Sequence, residues 1–169
     1  QEMYEQGMAV VVAKRPRVPV ECLDPRIKSL NYLNNILAKI EALDQGLFEV
    51  VMLNLEGEVT EGSGDNIFFV KDGVLYTPPV EVGILSGITR RFVMQELCPA
   101  EDLRCEEKRF GIDELLEADE VFMTGSAAEI IAVTRIDDTT IGTGAEGPIT
   151  NRLRSRFRRI VTSDPIPEN

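Results

Sequence analysis

The sequence contains no histidine and no tryptophan. Without histidine, Ser-His and Cys-His nucleophile pairs, imidazole metal sites and imidazole acid–base catalysis are excluded within the chain. Cysteine is scarce. Cys22, Cys98 and Cys105 form no Cys-x-x-Cys pair, and three cannot all pair with one another. They read as reduced thiols of a cytoplasmic protein. No apolar run approaches the ~20 residues of a membrane span. The longest, near Met8 to Ala13, has the length of a strand. No stretch reads as a secretory signal. Positive charge is also short: 18 Lys and Arg stand against 29 Asp and Glu, a net charge of −11. Such acidity argues against nucleic acid or an anionic membrane as the main partner.

What remains is 169 residues with 43% apolar side chains, enough for one domain with a proper core. No internal repeat or low-complexity tract divides it. Met8 to Ala13 predicts a buried strand, and Lys14 to Val18 with Pro19 breaks it as a linker. Leu30, Leu33, Leu37, Ile40 and Leu43 fall on one stripe, which predicts a mostly buried helix over Ser29 to Asp44, stopped at Gly46. Two hairpins follow, one around Glu56-Gly57 and one around Asp72-Gly73. A helix opens at Gly87-Ile88-Thr89 and runs to about Leu97. Glu120 to Met123 and Ile130 to Val133 read as strands, and Pro148 opens a last helix. The expectation is a mixed α+β domain over residues 1–162 with antiparallel hairpins. The tail, residues 163–169, is expected to be disordered.

With histidine absent, chemistry falls to Lys, Ser, Cys, Tyr and carboxylates. Lys28 lies between apolar residues just ahead of the predicted helix. A desolvated lysine with a lowered pKa is what a Schiff base requires, although a stem snorkelling to solvent fits the same position. Tyr32, four residues on, projects near the same end of that element, as a donor to an oxygen beside the Schiff base or as a core aromatic. Glu61 sits in Thr60-Glu61-Gly62-Ser63-Gly64-Asp65-Asn66, a small-residue hinge, where it is either a ring-nitrogen partner or part of a solvated turn. Gly87, Ile88 and Thr89 mark a helix start suited to an anion, or an ordinary cap. Gly125-Ser126-Ala127-Ala128 reads as a second anion site, a tight turn directly after a strand whose backbone amides form a nest, or as a close-packed strand turn. Five arginines within Asn151 to Arg159 read as the solvated face of a docked helix, and Glu101 to Glu107 has no metal-ligand spacing. A lysine, a phenol, a carboxylate and two anion sites together describe one ligand, pyridoxal 5'-phosphate.

The wording of these segments goes further. Lys28-Ser29-Leu30-Asn31-Tyr32-Leu33, Glu61-Gly62-Ser63-Gly64-Asp65-Asn66-Ile67-Phe68, Tyr76-Thr77-Pro78-Pro79, Gly87-Ile88-Thr89-Arg90, Ala118-Asp119-Glu120-Val121-Phe122 and Thr124-Gly125-Ser126-Ala127-Ala128-Glu129 occur in this order. The chain resembles the large domain of fold-type IV pyridoxal-phosphate enzymes, an antiparallel-rich pseudo-barrel with flanking helices. Within them it is most similar to branched-chain amino-acid aminotransferases. The resemblance implies that Lys28 carries the cofactor and moves the substrate proton. It implies that Tyr32 bonds the ring hydroxyl oxygen and Glu61 holds the ring nitrogen protonated. Leu85 would pack on the ring face, and Gly87, Ile88, Thr89 and Ser126 would hold the phosphate. Ser126, Ala127 and Ala128 would receive the substrate carboxylate. Ser126 replaces the family's usual Thr, and Asp65 its usual Glu.

The implied reaction moves an amino group from leucine, isoleucine or valine to 2-oxoglutarate, with small-molecule amino and 2-oxo acids as partners and a homodimer as the assembly. D-amino-acid aminotransferases and aminodeoxychorismate lyases are the neighbouring alternatives, and Tyr32 with Thr77-Pro78-Pro79 favours the branched-chain type. The family's small N-terminal domain, with its phosphate-binding Arg, has no match before Met8. The chain is therefore expected to be a piece of something longer, weakly active or inactive alone. A non-catalytic globular module is the reading from another class.

Overall fold

The computed structural model describes residues 6–163. Eight strands are described: β1 (Met8–Val12), β2 (Val50–Val51), β3 (Asn66–Lys71), β4 (Val74–Thr77), β5 (Cys105–Glu107), β6 (Glu120–Gly125), β7 (Glu129–Ile136) and β8 (Thr139–Thr140). They join in the order β2-β1-β7-β6-β3-β4-β5, with β8 on β7. The stretch β7-β6-β3-β4 is antiparallel, as the hairpin signals predict. Asp72 and Gly73 take φ values of 50° and 77°, the left-handed pair that a two-residue hairpin needs. The flanks differ from the expectation. β1 lies parallel to β7 and β2, and β5 parallel to β4. A parallel neighbour needs a long crossover, and helices supply it here. The helix α1 (Leu33–Leu43) lies between β1 and β2 in sequence, and α2 (Ile88–Phe92) between β4 and β5. The result is the expected mixed α+β curled half-barrel with flanking helices.

Both sheet faces are apolar because strand residues alternate sides. One face buries Ile67, Phe69, Val121, Met123 and Val133 with Phe110 and Leu115, the last on α3 (Ile112–Leu116). The other buries Phe68, Val70, Phe122 and Ile130 with Val93 and Leu97, and with Leu153 of α4 (Pro148–Ser163). α2 does not end at Phe92 but runs through a π-turn, Val93–Leu97, into a last turn, Cys98–Ala100. Pro99 has no N–H to offer the carbonyl four residues back, which accounts for the changed hydrogen-bond register ahead of it. Glu120 of β6 accepts from the amides of Ile149 and Thr150, at 3.0 and 2.7 Å, and so caps the positive end of α4.

Three expectations need correction. The helix predicted from Ser29 begins only at Leu33. Ser29 and Tyr32 instead close tight turns back to Ile27 and Leu30, at 2.8 and 2.9 Å. Its leucine stripe is not buried. Asn35, Ala38 and Ala42 face the sheet, while Leu33, Ile36, Ile40 and Leu43 face outward, Leu33 at 62% exposure. The small residues let α1 lie close on β1 and β2, so the larger ones point away. Four of the five arginines of α4 are also more than a solvated face, since Arg152, Arg154, Arg156 and Arg158 pair with Glu101, Glu146, Glu101 and Glu129. The predicted tail beyond Ser163 lies outside the described residues.

Candidate active site

A buried ion pair, Glu61 with Arg17, lies just ahead of β3. Glu61, on the segment leading into β3, is 5% exposed. One of its carboxylate oxygens accepts from Arg17 Nη2 at 2.5 Å, the other from Asn66 Nδ2 at 2.9 Å and from the Leu85 amide at 3.1 Å. Burial pushes its pKa up from the ordinary carboxylate range to about 7, with Arg17, the Leu85 amide, Arg90 and Lys28 opposing. Glu61 is therefore not part of a solvated turn.

Arg17, in the segment read as a linker, is itself buried, and its Nε donates to the Gly83 carbonyl at 3.3 Å. Its Nη1 is buried with no hydrogen-bond partner among the described residues. Arg17 gave no sequence signal because it stands in a run of loop-forming residues, Lys14-Arg15-Pro16-Arg17-Val18-Pro19.

Lys28 lies at the junction of two cavities. Lys28, Tyr32, Arg17, Asn35 and Leu85 line the first. The second, about 240 Å³, is walled by Lys28, Leu85, Gly87, Ile88, Thr89 and Ser126, with Asn66, Thr124 and Gly125. The structure thus brings together Lys28, Tyr32, Leu85, Gly87, Ile88, Thr89 and Ser126. Glu61 stands behind them, tied to the backbone of Leu85. One expectation fails here. Lys28 does not enter the core; it is exposed, because the predicted buried helix neither starts beside it nor buries its stripe.

Asn66 organises the walls. Its Nδ2 donates to Glu61 and, at 2.8 Å, to the Leu85 carbonyl. Its Oδ1 packs so closely on Gly87 that a Cβ there would stand 2.1 Å away. Gly87 precedes α2, whose first turn closes from Arg91 N to Gly87 O at 3.0 Å. The amides of Ile88, Thr89 and Arg90 therefore lead the helix without intrahelical acceptors. Thr89 is buried, whereas Ile88 is 66% exposed.

The second predicted anion site is a hairpin turn. Gly125 pairs with Glu129, so Ser126, Ala127 and Ala128 link β6 to β7. Ser126 reaches the second cavity, Ala127 is exposed, and Ala128 packs on the core. On the same wall, Thr124 is 1% exposed and its Oγ1 has no hydrogen-bond partner among the described residues.

The chain is also similar to known proteins. The family model described as amino-transferase class IV matches residues 1–136. A D-alanine aminotransferase of Bacillus licheniformis is 46% identical, over 82% of this chain and 48% of its own length. A branched-chain-amino-acid aminotransferase of Pseudomonas aeruginosa is 40% identical, over 96% of this chain and 52% of its own. The crystal structure of a branched-chain amino acid aminotransferase from Thermobaculum terrenum, in its PLP-bound holo-form, superposes with a TM-score of 0.89 at 39% identity. It is covered to 52%, and this chain to 93%. The chain spans about half the length of the relatives it matches.

Proposed function

Because the chain belongs to the class IV amino-transferase family, we propose that it is the cofactor-holding half of a branched-chain amino-acid aminotransferase, which moves amino groups from branched-chain L-amino acids to 2-oxoglutarate. The observation that carries the reading is the position of Lys28 where the two cavities meet, with Tyr32 and Arg17 on one side and Thr89 and Ser126 on the other. The residues present fit pyridoxal phosphate. The buried Arg17 Nη1 is a donor with no acceptor, in the cavity that would take the ring. Bound there, the cofactor supplies an electron sink for the charge left when a substrate Cα loses its proton.

This chain's residues do the rest. Lys28 Nζ would attach the cofactor and carry the proton to and from the substrate. Glu61, fixed by three donors, would hold the ring nitrogen in its protonated form. Arg17 holds Glu61 in place and opposes the effect of burial on its charge. Tyr32 would bond the ring oxygen, and Leu85 would pack on the ring face. The amides of Ile88 and Thr89, with the Thr89 and Ser126 hydroxyls, would hold the phosphate. The turn at Ser126, Ala127 and Ala128 would receive the substrate carboxylate.

The likeness to a D-alanine aminotransferase supports a second reading, in which the same half serves D-amino acids. Tyr32 and Thr77-Pro78-Pro79 favour the first. The outward stripe of α1 supports a homodimer, because soluble monomers rarely expose a contiguous apolar face of that kind. Among the described residues no helix is long and apolar enough to cross a membrane. Alone, residues 1–169 are expected to bind the cofactor weakly and turn over little, since Lys28 is left open to solvent. The test is to saturate the chain with pyridoxal phosphate, reduce it with borohydride and map the peptides. A pyridoxyl group on Lys28 is expected, and one on Lys14, Lys39, Lys71 or Lys108 in folded protein overturns the reading.

A further inference from the structure

Thr124 sits near the end of β6, opposite Asn66 on β3. A cross-strand pair shares one face of the sheet, and both residues line the second cavity, as do Thr89, Gly87 and Ser126. Buried threonine hydroxyls ordinarily find an acceptor, and leaving one unmade costs roughly 1–3 kcal/mol. The Thr124 hydroxyl, 1% exposed, has none among the described residues, and water or a ligand oxygen in the adjoining cavity is what can serve it. A packing role alone would be met better by valine, which has the same shape and no hydroxyl.

We propose that Thr124 is a phosphate-binding residue, its Oγ–H donating to a phosphate oxygen held between α2 and the β6–β7 turn. The proposal rests on the reading of this cavity as the phosphate end of the cofactor site. A phosphate dianion has more acceptor positions than the leading amides of α2 and the Thr89 and Ser126 hydroxyls fill. A third hydroxyl, already desolvated, binds the anion without first losing water. The alternative recipient, a substrate carboxylate, predicts a different outcome below.

Two opposite effects follow from one substitution. Thr124→Val removes a buried hydroxyl that has no partner, so the cofactor-free chain should unfold at the same temperature or higher. The same change removes a charge-assisted hydrogen bond, so pyridoxal phosphate should bind about tenfold or more weakly. Pyridoxal, which lacks the phosphate, should bind both proteins alike. Thr124→Ser keeps the hydroxyl and should restore the affinity. Inorganic phosphate should raise the unfolding temperature of the unaltered chain and leave that of Thr124→Val unmoved.

Equal pyridoxal phosphate affinity in Thr124→Val and the unaltered chain overturns the proposal, and it is the result expected of a carboxylate ligand. Equal losses for pyridoxal and pyridoxal phosphate overturn it too, since that pattern marks a general distortion. If pyridoxal phosphate does not bind the unaltered chain, the functional reading fails, and the inorganic phosphate arm still decides the role of Thr124. No phosphate effect on the unaltered chain then overturns the proposal, and an effect that Thr124→Val abolishes supports it.

Discussion

Glu61→Gln should make the chain relatively more stable as the pH rises. Glu61 is buried against Arg17, and burial outweighs that attraction, so its carboxyl titrates near 7 in the folded chain against an ordinary value of 4.5. Between those values the folded form holds a proton that the unfolded form has lost, so stability falls as the pH rises. At about 1.4 kcal/mol per pH unit, the loss from this one group is about 3 kcal/mol by pH 8. Glutamine resembles the neutral carboxyl in shape and cannot ionise. Near pH 4.5 the variant should therefore sit within about 1 kcal/mol of the parent. By pH 8 the difference should have moved about 3 kcal/mol in the variant's favour. Urea unfolding without cofactor, followed by far-UV circular dichroism at a series of pH values, measures this directly. Arg17→Met gives a second arm. It removes a positive charge that opposes burial, so the fall attributable to Glu61 should move to higher pH. A Glu61→Gln difference that is flat across pH 4.5 to 8, or that moves in the parent's favour, would refute the reasoning. It would mean that the ion pair dominates and that Glu61 is already charged at low pH.

Lys28→Ala should abolish borohydride-fixed pyridoxyl label while changing stability by less than about 0.5 kcal/mol, because Lys28 is exposed; label by mass spectrometry and a urea midpoint check both. Gly87→Ala places a methyl 2.1 Å from Asn66 Oδ1. Displacing Asn66 should cost about 1–3 kcal/mol and weaken pyridoxal phosphate binding together, as calorimetric unfolding and titration would report. Leu33→Glu with Ile40→Glu, both on the outer face of α1, should give monomers of unchanged thermal stability by light scattering and circular dichroism. Unchanged oligomer size would place the interface elsewhere.

The central strands were legible because Asn66 to Val70 and Val74 to Tyr76 flank an Asp-Gly turn, and that signal is local. The candidate site was named in the sequence by segments in order, from the lysine segment to Thr124-Gly125-Ser126. Its geometry was not. An amphipathic stripe reports only that one side of a helix is apolar, and α1 turns that side away from its own core because Ala38 and Ala42 fit the sheet more closely. Arg17 was illegible for a different reason. Its burial depends on Glu61, forty-four residues away, and nothing in the neighbouring prolines reports such a partner. Thr124 stood in a quoted segment, yet an unmade hydrogen bond exists only in three dimensions. The parallel flanks were missed because strand pairing across a helical crossover leaves no local mark.

Asn66 touches the carboxylate at one end of the site and the glycine loop at the other, with a single amide group. Such a side chain works as a gauge, fixing the spacing between the two ends to the length of one asparagine. Substitutions at Glu61, Leu85 and Gly87 should then be inherited together rather than one at a time, because each alters what the others are measured against. The β6–β7 turn is held to the hinge by a second close approach, since a Cβ on Gly125 would stand 1.9 Å from Asp65 Oδ1. Changes in the length of that turn would therefore reach Ser126 and the proposed phosphate end, which leaves variation to the exposed Ala127.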